Sequence, residues 1–352
     1  MVNVTKYNDQ EQILVSICCT VYNHSAYIRQ CIDGFMMQKT NFRYEVLIHD
    51  DASTDGTQGI IREYERKYPE IIKPIYQKEN QYSKGGRISI RFNIPRAKGK
   101  YIAFCEGDDY WIDPLKLQKQ VDLLENDISI GMVNTDVDVL YQESNYYLRN
   151  YNKSKRLSNN KYVSGNVPIE VLLNSQYLIK TPTVLIRKKL FDNYLKSEEC
   201  TYIREHFPMG DTPIWVFFAK ESKIFYLDEV TTVYRRHKGS ASNQINFRNK
   251  LYFSLLSAEL KIFYIEKYKI KDDSFVKFAY KLYENNLLSY LSFVPDYNYT
   301  YKLNNKIEDR INKLRRNLFI RLFYRIKYCV HHILFFMIQD SYYYFRKIVD
   351  SF

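Results

Sequence analysis

The sequence is poor in the residues that build disulfide-linked, zinc-binding or membrane-spanning proteins. Its six cysteines include no pair separated by two residues, and four of them lie in or beside apolar runs, where a thiol behaves as a small hydrophobic group. A disulfide framework or a zinc site is therefore not expected, and a reducing cytosol suits these thiols best. No apolar stretch approaches the length of a membrane span, about 18 residues, so we predict a chain that does not cross a membrane.

Signals for secretion and for nucleic-acid binding are also missing. The segment Met1–Gln12 is polar and lacks the apolar core of a signal peptide. Lys and Arg total 52 against 40 acidic residues, and this net charge of +12 predicts an anionic partner: nucleic acid, an acidic membrane face or a phosphorylated small molecule. Because the basic residues form no helix-turn-helix, zinc-finger or RNA-recognition motif, we do not expect a nucleic-acid partner.

Alternating apolar strands and helices are what the sequence does contain, from Gln12 to about Pro114. Four apolar runs predict buried strands, at Ile13–Cys19, Tyr44–His49, Ile71–Tyr76 and Tyr101–Cys105. Ser25 is placed to cap a helix that runs to about Met37, and a second helix follows near Ile60. This alternation is typical of an α/β fold, in which helices cover both faces of a mainly parallel sheet.

The pattern becomes less regular beyond Pro114 and changes again near residue 242. A helix is expected to start at Pro114, and a short helix is expected over Thr212–Lys220. Further short strands are predicted at Ile130–Val133, Val184–Ile186 and Lys223–Leu227. After about Ser242 the strand signals end, and the chain continues as helices rich in Tyr, Phe and Lys, interrupted near Pro295. We therefore predict an α/β domain over residues 1–242 and a basic, aromatic-rich helical region over 243–352.

Two acidic clusters follow directly after predicted strands, Asp50-Asp51 and Glu106-Gly107-Asp108-Asp109. In an open parallel sheet, the carboxyl ends of the strands converge on one crevice where ligands bind. Carboxylates crowded there repel each other unless a cation compensates, and their hard oxygens suit Mg²⁺ or Mn²⁺ carrying a phosphorylated substrate. Capping of turns and helices is the alternative use of such acids, and it is favoured for Asp55 before Gly56.

Three sequence blocks, residues 15–23, 45–57 and 97–111, resemble the family 2 glycosyltransferases of the GT-A fold. They read VSICCTVYN, EVLIHDDASTDGT and AKGKYIAFCEGDDYW, in the order and at the spacing of that family. The resemblance covers about residues 12–240. It implies a Rossmann-like half that binds a nucleotide sugar, about 12–114, merged with a half that binds the acceptor, about 115–242.

The resemblance assigns nucleotide contacts to residues of the first half, namely Thr20, Tyr22, Asn23, Asp50, Asp51 and Arg91. Tyr22 is expected to stack on the base, unless it is a turn aromatic that closes the core. Asp51 is expected to hydrogen-bond the base, commonly uracil, with Asp50 as the adjacent alternative, so a UDP-sugar is the favoured donor. Arg91 and Lys84 lie in a basic stretch that either contacts the nucleotide or forms a solvated loop.

The segment Glu106-Gly107-Asp108 occupies the family's DXD site, with Glu in place of the first Asp. Because Glu is one methylene longer than Asp, its contacts with ribose or metal are expected to shift. The resemblance assigns Glu106 and Asp108 to the nucleotide sugar, and it assigns Mn²⁺ or Mg²⁺ to Asp108, Asp109 and His237. The segment Val233–His237 resembles the family's Tyr-Arg-x-His element. Three residues in it are expected to stabilise the leaving nucleoside diphosphate: Arg235, Arg236 and His237.

Asp211 matches the family's catalytic base, which removes the proton from the acceptor hydroxyl. Its segment, Met209–Trp215, lacks the Glu that commonly precedes this Asp. Asp211 is also placed to cap the helix that begins at Thr212, and the two roles are compatible. The mechanism that the resemblance implies is one displacement at the anomeric carbon, which inverts its configuration and needs no Ser or Cys nucleophile.

The function that these features predict is that of an inverting, metal-dependent hexosyl- or N-acetylhexosaminyltransferase. It would move a sugar from a nucleotide donor to a hydroxyl of a saccharide acceptor, in lipid-linked form, for bacterial capsule, O-antigen or exopolysaccharide synthesis. The alternative is a catalytically silent membrane-surface subunit of a polysaccharide assembly complex. The intact Asp51, Asp108, Asp109 and Asp211 argue against it, and only the substituted Glu106 leaves it open. A nucleotidyltransferase fits less well, since no glycine-rich phosphate loop follows the first strand.

The last part of the chain, residues 311–352, carries eight Lys or Arg and two Asp. Apolar residues from Phe319 to Met337 recur at three- and four-residue spacing, with basic residues on the opposite side. Such a basic amphipathic helix predicts contact with an anionic membrane surface. Packing on the catalytic domain with a solvated basic face is the alternative. The expected location is cytoplasmic, peripheral on the inner face of the cell membrane.

Overall fold

The computed structural model describes residues 12–85, 87–153, 165–173, 179–207, 210–239, 247–298, 305–317, 319–322 and 324–325. The chain divides into two compact units, Met1–Asn243 and Gln244–Phe352. Most of the basic amphipathic helix predicted from Phe319 to Met337 lies outside the described residues.

The first half of unit 1 alternates strands and helices, as the sequence predicts. Its elements are β1 (Ile13–Val21), α1 (Ile28–Met36), β2 (Arg43–Asp50), α2 (Thr57–Lys67), β3 (Ile72–Tyr76) and β4 (Tyr101–Glu106). The strands are continuous apolar runs, because helices cover both faces of the sheet and leave no face for polar residues.

The second half of unit 1 adds six strands and five helices from the described residues. They are β5 (Tyr110–Trp111), α3 (Lys116–Asn126), β6 (Ile130–Tyr141), β7 (Tyr146–Leu148), β8 (Gly165–Asn166), α4 (Ile169–Leu173), β9 (Val184–Arg187), α5 (Lys188–Lys196), α6 (Glu198–His206), α7 (Thr212–Glu221) and β10 (Lys223–Arg236).

One mixed sheet joins all ten strands in the order β3-β2-β1-β4-β9-β6-β10-β5, with β7 beside β6 and β8 beside β10. The first four strands pair in parallel, and β9 runs antiparallel between β4 and β6. Thr20 pairs with His49 on one side and with Glu106 on the other. The ends of β1, β2 and β4 therefore meet at one edge of the sheet, where the acidic clusters begin.

The expected start of two helices is wrong. Ser25 does not cap α1, which begins at Ile28 with no side-chain hydrogen bond at its N-cap, Tyr27. The backbone N–H of Ser25 instead donates to Asp55 Oδ2 at 2.9 Å, so a contact between loops overrides the local capping pattern. The helix expected from Pro114 begins two residues later, at Lys116.

Strands β6 and β10 are longer than the apolar pattern predicts. The sequence predicts them only over Ile130–Val133 and Lys223–Leu227, but they continue to Tyr141 and Arg236. The extensions contain buried polar residues that pair across the sheet, as Thr135 Oγ1 does with Thr231 Oγ1 at 2.7 Å. A polar side chain with a partner is tolerated inside a sheet, and it hides the strand from a hydrophobicity pattern.

Two apolar layers enclose the sheet of unit 1. Alternate residues of β1 face opposite layers: Ile17 and Cys19 pack with Phe35 of α1, and Cys18 packs with Phe191 of α5. All five side chains are almost fully buried. This arrangement confirms a sheet covered by helices on both faces, with the acidic strand ends at its rim.

Gly99→Ala is expected to lower the free energy of unfolding by about 2–4 kcal/mol. An added Cβ would lie 2.5 Å from Ser16 N and 2.7 Å from Val15 C. Both are backbone atoms of β1, which cannot move without distorting the strand. The Gly99 N–H also donates to Ser16 Oγ at 2.8 Å, which holds the two segments together. Urea unfolding followed by circular dichroism measures the change.

The matched control for this variant is Gly59→Ala in α2. No atom lies within 4 Å of a Cβ at Gly59, so the variant should be stabilised by about 0.5–1 kcal/mol through the reduced freedom of the unfolded chain. Equal effects of the two substitutions would contradict the close approach of Gly99 to β1.

Unit 2 is helical in its described residues, with α8 (Phe247–Tyr268), α9 (Asp273–Leu291) and α10 (Asn305–Arg316). Buried apolar side chains from all three helices form its core, among them Leu255, Ile262, Leu287 and Ile311. Asp272 caps α9, since its Oδ1 accepts hydrogen bonds from the backbone of Ser274 and Phe275. Within the described part of the chain, no helix is both long enough and apolar enough to span a membrane.

Candidate active site

The loops after β1 and β2 are joined to each other at the acidic edge of the sheet. Asn23, at a φ of 55°, donates its backbone N–H to Ser53 Oγ at 2.9 Å and accepts from Thr54 N at 2.9 Å. Asn tolerates this left-handed conformation better than most residues. Asp55 accepts from Thr57 and from Ser25, which confirms its expected use in a turn. Asn23 thus holds the two loops together, and its nucleotide contact stays a prediction.

The buried pair Asp50 and Asp51 fixes the loops around this edge. Both oxygens of Asp51 accept backbone hydrogen bonds, from Gln81 N at 2.7 Å and Tyr82 N at 2.9 Å. Asp50 Oδ2 accepts from Ser53 N and Gln58 Nε2. Its Oδ1 is buried and has no hydrogen-bond partner among the described residues. The contact of either acid with a base stays a prediction.

Two further expected nucleotide contacts, Tyr22 and Arg91, lie directly after β1 and against the loop that Asp51 anchors. Tyr22 exposes 47% of its surface, which suits a stacking platform. Arg91 donates from Nη1 to the backbone oxygen of Gln81 at 3.1 Å, so it reaches the loop that Asp51 anchors. Lys84 is exposed and pairs with Glu79.

Asp108, just past β4, lies between two histidines. Its Oδ2 is 3.0 Å from His237 Nε2 and 4.0 Å from His24 Nε2. One ligand atom from each of the three residues lies within 4.8 Å of the others. His237 belongs to the predicted metal set, whereas His24 was not predicted; its only signal is its position next to Asn23 in the first motif block.

Two shifted pKa values accompany this arrangement. Burial raises the pKa of the Asp108 carboxyl, but the hydrogen bond with His237 and the nearby His24 outweigh it, and the pKa is lowered overall. Burial lowers the pKa of His24, against the attraction of Asp108. Carboxylate oxygen and imidazole nitrogen are ligand types of divalent ions, so the two histidines and Asp108 fit a metal site in donor type.

Asp109 does not belong to this cluster, although the sequence predicts it as a metal ligand. It is 1% exposed, and its Oδ1 accepts from Arg235 N at 2.7 Å. Burial, with repulsion from Asp108 and Glu106, raises its pKa well above the ordinary value. The carboxyl of Glu106 has its pKa raised to about 7, first by burial and then by the charges of Asp108 and Asp211.

Arg235 is expected near the leaving group, and the structure gives its guanidinium a positioning role. It donates from Nε to the Asp108 backbone oxygen and from Nη2 to Gln30 Oε1, both at 2.7 Å, and from Nη1 to Gln142. Its Cζ lies 4.7 Å from the Tyr27 ring centroid. With 5% exposure, Arg235 is committed to the loop that carries Asp108. Arg236 is partly buried beside Tyr141, and its leaving-group role stays a prediction.

Asp211 is the N-cap of α7, and it is exposed. Its Oδ1 accepts from Thr212 N at 2.7 Å, which confirms the capping role. The charge of Asp211 also contributes to the raised pKa of Glu106. Asp211 therefore lies near the acidic edge of the sheet. Capping leaves the other carboxylate oxygen available as a proton acceptor.

Lys180 is a site residue that sequence reasoning misses, since it lies in a stretch without a recognised motif. Its Nζ is 3.9 Å from the centroid of the Tyr234 ring. Its backbone oxygen accepts from Thr183 N and Oγ1, which fixes the segment. Burial and the neighbouring Arg236 lower the pKa of its amine to about 8, against attraction from Asp109, Asp211 and Glu106. Lys180 is thus a cation among the acids of the site.

A sequence profile described as Glycosyl transferase family 2 matches residues 16–180. An uncharacterized protein of Mycobacterium tuberculosis is 34% identical over 227 residues, which are 63% of this chain and 59% of that protein. The chain therefore spans less than two thirds of the length of this curated relative. The Escherichia coli UDP-Glc:alpha-D-GlcNAc-diphosphoundecaprenol beta-1,3-glucosyltransferase WfaP is 27% identical over 65% of this chain and 80% of its own length.

Among solved structures, S. aureus TarS 1-349 in complex with UDP-GlcNAc aligns with a TM-score of 0.50 and 15% identity. The alignment covers 86% of this chain and 79% of TarS 1-349. At this identity the likeness concerns the fold, and it confirms the predicted GT-A architecture. The profile match therefore identifies residues 16–180 as a glycosyltransferase family 2 domain.

Proposed function

We propose that the protein transfers a sugar, with inversion, from a UDP-sugar to a hydroxyl of a lipid-linked saccharide in the synthesis of bacterial capsule, O-antigen or exopolysaccharide. The observation that carries the proposal is the position of Glu106 and Asp108 at the end of β4 in a family 2 domain, with the charge of Asp211 near enough to raise the pKa of Glu106. The name of the E. coli relative states a UDP-glucose donor and a diphosphoundecaprenol-linked acceptor, which supports both substrates. We also propose work at the cytoplasmic face of the membrane, where such an acceptor is reached.

In the proposed reaction, Asp211 accepts the proton of the acceptor hydroxyl while the hydroxyl oxygen bonds to the anomeric carbon. The bond from that carbon to the diphosphate oxygen breaks, and the nucleoside diphosphate leaves with the electron pair. Attack and departure on opposite faces invert the configuration. A divalent cation held by Asp108 and His237, Mn²⁺ or Mg²⁺, would neutralise charge on the diphosphate when bound. Lys180 adds a positive charge on the same side of the sheet.

A donor screen tests this proposal. The full chain is incubated with UDP- and GDP-sugars and Mn²⁺, with and without a diphosphate-linked saccharide on a short lipid, and release of free nucleoside diphosphate is measured. We expect release that depends on one UDP-sugar and rises with acceptor, and a product whose anomeric configuration is opposite to that of the donor. Donor binding without any turnover would instead support the catalytically silent subunit.

Sugar transfer is expected to decline as the pH rises above about 8. The lowered pKa of Lys180, caused first by burial, means that its amine loses its charge in this range, and the site loses a cation beside the leaving diphosphate. In Lys180→Arg the guanidinium stays charged, so the decline should move to higher pH. Lys180→Met should be slow throughout and lack this decline.

The pH dependence of kcat with saturating donor measures these three profiles. An alkaline decline of Lys180→Arg that coincides with that of the wild-type protein would show that another group titrates.

A further inference from the structure

We propose that His24 is a third protein ligand of the divalent cation, and that the resulting set of two imidazoles and one carboxylate selects a transition-metal ion over Mg²⁺. The inference deepens the proposed function, since the ion would serve the same donor diphosphate. It concerns a ligand from the β1–α1 loop, outside the acidic motif after β4.

The distances from Asp108 to the two histidines fit one shared ion. Nitrogen and oxygen ligands lie about 2.0–2.2 Å from a divalent ion such as Zn²⁺, so two ligands of one ion are at most about 4.4 Å apart. Asp108 Oδ2 is 3.0 Å from His237 Nε2 and 4.0 Å from His24 Nε2. The second separation is too long for a hydrogen bond, so His24 faces the carboxylate without bonding to it directly.

The backbone holds His24 in this position. Its N–H donates to Thr57 Oγ1 at 2.9 Å, and its carbonyl oxygen accepts from Tyr27 N and Ile28 N at the start of α1. On the other side, a Cβ at Gly107 would lie 3.0 Å from His24 Nδ1, so glycine at this position leaves room for the ring. The imidazole is therefore placed beside Asp108 before any ion binds.

The ring of His24 packs edge-on against the rings of Tyr27 and His237. His24 Nδ1 is buried and has no hydrogen-bond partner among the described residues. Its Nε2 faces Asp108 Oδ2 at 4.0 Å, so this nitrogen is the one placed to coordinate an ion beside the carboxylate.

The donor set decides which ion the site prefers. Mg²⁺ takes oxygen ligands and gives up water reluctantly, whereas imidazole suits first-row transition ions, and two histidines with one carboxylate form a known set for them. A site with Asp108 alone would favour Mg²⁺ or Mn²⁺ about equally in ligand type. With His24 and His237 added, nitrogen donors outnumber the carboxylate, and the preference moves to ions such as Mn²⁺, Co²⁺ and Zn²⁺.

Binding of Co²⁺ to the metal-free full chain tests this without nucleotide or turnover. The visible absorption of bound Co²⁺ reports imidazole ligation, and competition by Mg²⁺, Mn²⁺ and Zn²⁺ ranks the ions. We expect saturable binding of one Co²⁺ that Zn²⁺ displaces and that Mg²⁺ at about 100 times the concentration of Co²⁺ leaves in place. Displacement by Mg²⁺ at a concentration similar to that of Co²⁺ would overturn the proposal.

Two substitutions of His24 and one control complete the test. His24→Ala and His24→Gln should each weaken Co²⁺ binding at least about tenfold, as loss of a ligand does, and should change its visible spectrum. His206→Ala is the matched control, because His206 is exposed on α6 and stacks on Tyr202 at 4.1 Å. Circular dichroism melts establish that the variants are folded. Wild-type Co²⁺ affinity in either folded His24 variant would overturn the proposal.

The donor screen separates this inference from the proposed function. If the wild-type protein binds Co²⁺ through His24 but consumes no nucleotide sugar, the proposed metal site is supported and the proposed transferase activity is contradicted. If the protein transfers sugar equally well with Mg²⁺ and its His24 variants bind Co²⁺ normally, the transferase activity is supported and the role of His24 as a third ligand is contradicted.

Discussion

Replacing Asp211 by Asn is expected to lower the rate of sugar transfer by about 100-fold or more, while the affinity for the UDP-sugar changes little. Asn cannot accept the proton of the acceptor hydroxyl as a carboxylate does. It caps a helix as well as Asp, however, so the hydrogen bond to Thr212 N at the start of α7 should persist. The variant therefore separates the chemical role of Asp211 from its capping role.

The measurement is single-turnover transfer together with equilibrium binding of the donor. Asp272→Asn is the matched control, because Asp272 also caps a helix, α9, through Ser274 and Phe275. Both variants should melt close to the wild-type temperature, and only Asp211→Asn should lose transfer. Undiminished transfer by Asp211→Asn would refute the assignment of the base and leave Glu106, with its pKa raised to about 7, as the next group to examine.

The position of the site could be predicted from sequence because it depends on strand order along the chain. The apolar runs of β1, β2 and β4 are unmistakable, since both faces of the sheet are covered. Parallel pairing then brings the carboxyl ends of these strands together. The observed register, in which Thr20 pairs with His49 and with Glu106, shows this. Motifs that follow such runs are therefore located correctly even without any knowledge of the loops.

The remaining site residues depend on contacts that no local pattern encodes. His24 lies in a loop that is held by the hydroxyl of the distant Thr57, and Lys180 lies at the start of a short turn that the hydroxyl of Thr183 closes. Ser25 illustrates the same limit in reverse. It has the composition of a helix cap, but its N–H binds Asp55 across the loops and α1 starts later.

The sequence also could not assign different roles to the two arginines of the Val233–His237 segment. Arg235 and Arg236 are neighbours of the same type, and strand geometry sends their side chains to opposite faces of the sheet. Arg235 thereby enters the interior beneath Asp108, and Arg236 lies beside Tyr141. The two arginines differ in the face of the sheet on which they lie, and this depends on the register of β10. That register includes irregularities at Leu227 and Val230.

Arg235→Lys is expected to lower the free energy of unfolding by about 3 kcal/mol or more and to abolish sugar transfer. The guanidinium supports three acceptors at once: the Asp108 backbone oxygen, Gln30 Oε1 and Gln142 Oε1. A lysine ammonium keeps the charge but lacks the planar fork that reaches all three. At least one buried acceptor would lose its partner, and the loop that carries Asp108 would lose its support.

Arg236→Lys is the matched control for stability, since it makes the same change at the next residue of β10, where the hydrogen bond to Tyr141 OH is long at 3.4 Å. Urea unfolding of the full chain should show a change below about 1 kcal/mol for this control. The Co²⁺ spectrum of folded Arg235→Lys gives a second readout, because displacement of Asp108 should weaken the metal site as well as the fold. If Arg235→Lys unfolds like Arg236→Lys and binds Co²⁺ normally, then the guanidinium does not position Asp108, and its expected place beside the leaving diphosphate becomes the better account of its role.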